Sequence, residues 1–409
     1  MKPVMILALF ASAAWCQMIH HPAPVPPSTF PIMAWGSAPS DAEQLKLMKE
    51  AGLNVAGFCR AEDASKIRDA GLTCFVSDER VNGYDWSNMP SEDVLRKNVA
   101  EVVRETGKNP AVLGYYLRDE PHASLMPAMG RVSRILKELA PSKWPYVNLF
   151  PYRVSKERMG VDDWDTYGRM LVEKIGQPFL SYDNYSLVDG EMLDYFYNNL
   201  DLVRRLSIET KTPFWNCILA NAHFNYMEPS DATFHLQVYA TLAYGGRGIQ
   251  YFTYTTPHIG NYRLGAVDQF GNKTATWDAL RRINLELHAL APVMTKLRST
   301  GVYHYPDVPE YGKPLSDSKL VARVTTIQRY VKPPVQGRVL VGEFEDAQGR
   351  PYILVVNKDL RNSFQFAVEL KQRGRKFVRI CNYSGQEEPF GREMDWLAPG
   401  AGVLLRVSE

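Results

Sequence analysis

A short apolar run followed by an amphipathic stretch recurs eight times between Pro31 and about Ser299, and few folds accommodate that rhythm. The apolar runs are Pro31–Trp35, Val55–Cys59, Thr73–Val76, Val112–Leu117, Pro145–Phe150, Phe179–Tyr182, Pro213–Ile218 and Gly248–Tyr254. They are close to continuously hydrophobic, which marks strands buried on both faces, paired in parallel and covered by helices. Helix punctuation separates them. Ser40-Asp41-Ala42-Glu43 opens a helix with an acidic first turn, and Ala51-Gly52 closes it. Ser91 to Thr106 carries apolar Val94, Val99, Val102 and Val103 at helical spacing, and Gly107 ends it. Thr274 to Leu297 is the last and longest helical stretch. Eight such units predict an α/β architecture, a closed (β/α)8 TIM barrel over residues 31–299. An open doubly wound sheet is the alternative, but no Gly-rich dinucleotide turn follows any run.

Beyond Ser299 the pattern switches to alternation. Leu320–Val324, Val339–Phe344, Pro351–Val356, Phe364–Leu370, Phe377–Asn382 and Gly402–Val407 read as short strands, with Gly349 in a turn between two of them. The expectation for residues 300–409 is a small C-terminal antiparallel β-sandwich, a non-catalytic accessory domain meeting the barrel near Ser299–Gly301. A length of 409 residues suits a barrel of roughly 250 residues plus such a domain.

At the other end, Lys2, the apolar run Met5–Phe10 and Ala11-Ser12-Ala13 have the layout of a cleavable export signal, placed at residues 1–16. Residues 17–30, rich in proline, read as a linker. The chain is therefore expected to be secreted or periplasmic. Cys16 offers lipoprotein anchoring as a competing reading, against which bulky Trp15 stands. No run approaches the roughly 20 apolar residues needed to span a bilayer. With 47 Lys+Arg against 45 Asp+Glu and no basic stretch interleaved with aromatics, nothing favours a nucleic-acid partner. Cys59, Cys74, Cys217 and Cys381 match neither a zinc site nor a disulfide framework and read as small buried hydrophobes. The histidines, His20-His21 included, form no metal pattern, and no cofactor is called for.

In a (β/α)8 barrel the reactive groups lie just past the C-terminal ends of the strands. There the third run gives Ser77-Asp78-Glu79, the fourth Arg118-Asp119-Glu120-Pro121-His122, and the fifth Asn148. The sixth gives Tyr182-Asp183-Asn184-Tyr185, the seventh Trp215, Asn216 and Asn221, and the eighth Tyr251 and Tyr254. Two adjacent carboxylates on a Pro-stiffened turn are the strongest chemical signal, because a carboxylic acid of raised pKa can protonate a leaving oxygen.

The segment Leu113 to Pro121 resembles the fourth-strand motif of clan A glycoside hydrolases, in which Asn-Glu-Pro carries the acid/base Glu. It is closer to the Asp-Glu-Pro variants of bacterial barrels related to beta-galactosidases. Ser181–Tyr185, Pro213–Trp215 and Tyr244–Tyr254 extend the resemblance in order along the barrel. The resemblance implies a glycoside hydrolase acting on an oligo- or polysaccharide, with Glu120 as acid/base. At the strand ends, Trp35, Tyr185, Trp215, Tyr251 and Tyr254 would make the floor and walls of a sugar subsite. Asp78, His122, Asn148, Asn216 and Asn221 are candidates for hydroxyl binding. The nucleophilic Glu of clan A, at the end of the seventh strand, has no counterpart in Phe214–Asn221, and Glu228 beyond it reads as an exposed residue at a helix start. Asp183, with Tyr185 expected to hydrogen-bond it, is the better-placed second carboxylate; Asp119 is a third. Two alternatives remain open: a substrate-assisted hexosaminidase using the Asp119-Glu120 pair, and a catalytically impaired barrel that only binds carbohydrate.

Overall fold

The computed structural model describes residues 30–328, 336–391 and 395–408, so the expected signal segment and nearly all of the linker lie outside the described residues. Eight parallel strands form the core: β1 (Ile32–Ala34), β2 (Val55–Cys59), β3 (Thr73–Val76), β4 (Val112–Asp119), β5 (Trp144–Asn148), β6 (Leu180–Asp183), β7 (Phe214–Leu219) and β8 (Gly248–Phe252). Their hydrogen-bonded order is β5-β4-β3-β2-β1-β8-β7-β6. The ring closes between its two ends, where Leu149 bridges in parallel to Tyr182 and its N–H donates to the Ser181 carbonyl at 2.8 Å. Helices α1 (Ala42–Glu50), α2 (Ala64–Asp69), α3 (Glu79–Asn82), α4 (Glu92–Thr106), α5 (Met126–Leu139), α6 (Lys156–Met159), α7 (Trp164–Met170), α8 (Asp194–Thr210), α9 (Asp231–Ala243) and α10 (Ala275–Met294) occupy the connections.

Local chemistry explains the helix starts. Asp41 accepts from the Gln44 N–H at the start of α1. Ser230 and Thr233 exchange side-chain and backbone bonds as a capping box before α9. Among the described residues, no helix is long and apolar enough to cross a membrane.

The barrel interior is filled largely by aromatic rings. Phe179 and Trp215 stack with centroids 3.8 Å apart, and Phe75 and Tyr146 pack beside them. Such a bulky filling needs space elsewhere on the ring, and Gly248 supplies it: a Cβ there would stand 2.6 Å from the Trp215 ring. The interior is thus a packed core rather than a pore.

A last strand pattern escaped the sequence reading. After α10 the chain enters β9 (Arg298–Tyr305), which begins with polar Arg298-Ser299-Thr300 and so lacks the alternation of the later strands. It pairs with β11 in a six-stranded antiparallel sheet of order β9-β11-β12-β17-β14-β15. The members are β11 (Val339–Glu345), β12 (Pro351–Asn357), β14 (Lys376–Ile380), β15 (Glu387–Pro389) and β17 (Gly402–Ser408). Facing it is a three-stranded sheet of β10 (Val321–Ile327), β13 (Phe364–Leu370) and β16 (Trp396–Leu397). Val341, Ile353, Val355, Leu405, Val324 and Phe366 are among the residues of the core between them. The architecture is therefore a (β/α)8 barrel followed by a small β-sandwich.

The large sheet lies on α9 of the barrel, and glycines permit the close approach: a Cβ on Gly342 would sit 2.5 Å from the Ala243 carbonyl oxygen. A buried polar knot secures this face. Glu286 of α10 accepts from Tyr239 Oη at 2.6 Å and from Asn382 Nδ2 of the sandwich at 3.2 Å, and contacts His235 Nε2 at 3.1 Å. Burial disfavours both charges, but the mutual hydrogen bond prevails, raising the His235 pKa and lowering that of Glu286. A raised histidine contributes fully below its unfolded value of 6.5, and a lowered carboxylate contributes above its unfolded value of 4.5. The pair is thus most stabilising between those two pH values. Removing one partner of a buried pair typically costs about 3–5 kcal/mol. Denaturant titrations should show Glu286→Ala losing stability of that order. The gap from wild type should be widest between about pH 4.5 and 6.5.

Candidate active site

Strict alternation along β4 would turn Tyr116 and Arg118 into the barrel and Asp119 away from it. A bulge intervenes. Between Tyr116 and Arg118 the register against β5 shifts by one residue, so that Asp119 pairs opposite Asn148. The extra residue re-aims the strand end. Arg118 is left exposed, and Asp119 points inward.

Asn148 is the hinge of the site. Its side-chain oxygen accepts from Ser181 Oγ at 2.7 Å, which fixes the amide's orientation. Its Nδ2 then donates to Asp183 Oδ1 at 2.8 Å and to Asp119 Oδ1 at 3.2 Å. Because one nitrogen lies 2.8 Å from one oxygen and 3.2 Å from the other, the two carboxylate oxygens are no more than 6.0 Å apart. Ser181 is held in turn by Gln250 Nε2 at 2.9 Å, and Gln250 accepts from Tyr146 Oη at 2.8 Å.

Glu120 follows with φ +44°, a left-handed conformation that a non-glycine residue adopts only under constraint. The constraint is visible. Its N–H donates to the Asn148 carbonyl at 2.9 Å, and the next residue's carbonyl, on Pro121, accepts from Tyr167 Oη at 2.6 Å. The Glu120 carboxylate meets Arg158 Nη2 at 3.3 Å.

The surroundings favour protons on all three acids. Burial lifts the Asp119 pKa to about 6, against the opposing Asn148 hydrogen bond. Burial and then the Asp119 charge lift Glu120 to about 7, against Arg158. Asp183 is pushed well above the carboxylate range by burial, then by the charges of Glu120 and Asp119. Clustered carboxylates in a cleft whose proton affinities are this perturbed are a functional-site signature.

These acids line a cavity of about 460 Å³ at the C-terminal end of the barrel. Trp35 after β1, Asn148, Tyr185 and Phe252 form its inner wall, and Arg153, Arg158, Tyr195, His223, Tyr226 and Tyr262 complete the rim. Tyr185 stacks on Phe252 at 5.2 Å, and Tyr262 lies flat on His223 at 4.5 Å. Among the described residues, no group of three or more His, Cys, Asp or Glu could hold a metal ion. A larger groove of about 940 Å³ opens on the sandwich, but its Glu387 and Glu388 are engaged by Arg406 and Arg379.

Of the sequence candidates, Glu120, Asp183, Asp119, Trp35, Asn148 and Tyr185 meet in this cavity. The others do not. Asp78 caps α3 and pairs with Arg80 at 2.8 Å, which lowers its pKa. His122 turns back onto Ser124 Oγ at 2.8 Å outside the cavity. Trp215 is sealed in the barrel core. Asn216 faces outward to Thr241 Oγ1 at 2.8 Å, as Tyr251 faces Asn284 at 2.6 Å and Tyr254 faces Trp277 at 3.0 Å. Asn221 sits behind the wall, where its Oδ1 holds His223 Nδ1 at 2.9 Å. Tyr185 Oη finds Cys217 Sγ at 3.6 Å rather than Asp183. Glu228 forms an exposed ion pair with Arg263 at 3.2 Å.

Parity explains the errors on β8: Gln250, a polar residue amid apolar ones, faces inward, so Phe252 does too and Tyr251 cannot. The loop residues Arg153, His223 and Tyr262 left no periodic signal to read, and Arg158 in the one-turn α6 and Tyr195 at the start of α8 lie away from any strand end.

No family model and no curated protein matches the chain. Solved structures do. A glycoside hydrolase family 5 protein from Bacteroides vulgatus superposes with TM-score 0.57 at 11% identity, covering 92% of this chain and 88% of that one. The cold-adapted beta-galactosidase from Rahnella sp. R3 gives TM-score 0.51 at 13% identity over 69% of this chain. The GH42 beta-galactosidase Gan42B of G. stearothermophilus gives 0.50 at 11% identity over 65%. The chain spans only 62% of the length of a Marinomonas beta-galactosidase, 59% of the Rahnella enzyme and 58% of Gan42B. The chain shares with these proteins the (β/α)8 barrel fold.

The two tryptophans should separate structure from site. Trp215→Ala opens a core cavity and should cost about 3–5 kcal/mol in denaturant unfolding. Trp35, partly buried at the cavity wall, should cost distinctly less when replaced by alanine.

Proposed function

We propose that the protein is a glycoside hydrolase, with Glu120 as the acid/base and Asp183 as the second carboxylate. One observation carries the reading. Three carboxylates converge in an aromatic-walled cavity at the reactive end of the barrel, and Glu120 holds its proton up to about pH 7. A general acid must be protonated before the bond breaks, and burial raises the Glu120 pKa toward neutrality. Trp35, Tyr185, Tyr226 and Phe252 offer flat faces for the C–H surface of a sugar ring. With Asp183 as the partner, a separation of its carboxyl from Glu120 of about 5–5.5 Å would favour retention of anomeric configuration, and about 6.5–9.5 Å inversion.

Glu120→Gln keeps the shape and removes the proton, so turnover of an unactivated glycoside should fall about 10²–10⁴-fold. The alkaline limb of the wild-type kcat/KM profile should lie near the Glu120 pKa of about 7. Arg158 lowers that pKa, so Arg158→Met should move the limb to higher pH. Near wild-type turnover by Glu120→Gln would remove Glu120 from the chemistry.

The substrate-assisted alternative has an observation of its own. Asp183 is pushed toward its neutral form, a poor state for a nucleophile, whereas inward-facing Asp119 is the more readily ionised of the two. In that reading Asp119 would orient an acetamido group of the sugar, which attacks in place of an enzyme carboxylate. Asp183→Gly with added azide distinguishes them. Rescue with a glycosyl azide product identifies Asp183 as nucleophile or base. Activity confined to N-acetylated sugars, with no rescue, points to Asp119. A barrel that binds sugars and hydrolyses none would be the impaired form.

A further inference from the structure

The rim of the cavity carries two guanidinium groups that hydrolysis of a neutral sugar does not require. Both come from the segment after β5. Arg158, in α6, stands over the Phe150 ring at 4.7 Å and reaches Glu120 at 3.3 Å. Arg153 is different. Its Cζ lies 3.5 Å above the centre of the Tyr195 ring, and among the described residues it forms no ion pair or hydrogen bond. Stacking on an aromatic face holds the plane of a guanidinium and leaves its edge of N–H donors open.

The segment is anchored rather than loose. The Tyr152 N–H donates to Asn199 Oδ1 at 3.0 Å, which ties it to α8. Tyr195, the platform, has its carbonyl held at 2.8 Å by Asn184 Nδ2, and Asn184 directly follows Asp183. Arg153 is thus carried on the Asp183 side of the cavity and Arg158 on the Glu120 side. Both arginines line the cavity that the acids line, so a sugar seated there would lie against them. A hydroxyl group compensates a desolvated guanidinium poorly, whereas a carboxylate or sulfate oxygen pair matches its fork. Glu120 engages Arg158, but among the described residues no acid forms an ion pair with Arg153.

We propose that the substrate is an anionic glycan, carrying a uronic acid carboxylate or a sulfate ester on the sugar bound in this cavity, with Arg153 as the residue that recognises the anion. The proposal rests on the glycosidase reading for its chemistry but not for its binding site.

The test uses matched pairs of 4-nitrophenyl glycosides, in both anomers: glucuronide against glucoside, galacturonide against galactoside, and 6-sulfated against unsulfated N-acetylglucosaminide. Wild type should favour the anionic member of at least one pair by about 10–100-fold in kcat/KM, the range expected for a hydrogen bond to a charged group. Arg153→Met should collapse that ratio, and Arg153→Lys should restore part of it. The ratio is insensitive to a general loss of folded enzyme. The pair that responds separates carboxylate from sulfate. Preference for the neutral members, with a ratio that Arg153→Met leaves unmoved, overturns the proposal while the glycosidase reading stands. If no pair is hydrolysed, calorimetric titration of glucuronic acid, galacturonic acid and glucose 6-sulfate against glucose decides the anion site independently of the chemistry. Anion binding that weakens with salt and vanishes in Arg153→Met supports it; equal or absent binding of acid and neutral sugar overturns it.

Discussion

The amide of Asn148 is the interaction on which the site depends. It sits between Asp119 and Asp183, donates to both, and is itself oriented by Ser181, which is held by Gln250 and Tyr146. Without that nitrogen two carboxylates within 6.0 Å of each other would face only mutual repulsion and burial. The hydrogen bonds lower both acids' proton affinity, but burial outweighs them, so the cluster stays rich in protons. Four strands contribute to this one relay: β4, β5, β6 and β8. Closure of the barrel is therefore a precondition of the carboxylate cluster and not only of stability.

The same closure explains why the floor of the cavity is rigid. Phe75, Tyr146, Phe179 and Trp215 fill the barrel beneath it, and Tyr146 belongs to both the packed layer and the polar relay. A shift in the aromatic layer would move Gln250 and Ser181 and so rotate the Asn148 amide. Packing and polar positioning are coupled through a single hydroxyl.

The rim obeys a different logic. Arg153, His223 and Tyr262 stand on connections between strands and helices, and Tyr195 on the first turn of α8, held by stacking and by bonds such as Asn184 to the Tyr195 carbonyl. Connections of this kind vary without disturbing the barrel, which is where a shared fold acquires individual ligand preferences. The comparison structures share the barrel at 11–13% identity, and such a likeness extends to the fold alone.

The barrel, the sandwich after it, and the Asp119-Glu120 turn were all legible in the amino-acid sequence, because apolar periodicity and Gly and Pro punctuation are local signals. Asp183 and Asn148 could be named for the same reason: each ends an apolar run. What the sequence could not determine was direction. A single bulge at Leu117 decides that Asp119 and not Arg118 faces the cavity. The parity of β8 sends Tyr251 to Asn284 and Phe252 to the site. Trp215 lies too far back along β7 to reach ligand and joins the core. Strand β9 was hidden by its polar start, Arg153 by the absence of any period in a loop, and Arg158 by the brevity of α6. Local patterns record which residues are apolar and where elements end; which way a side chain points depends on register and on the neighbours that only the closed tertiary structure supplies.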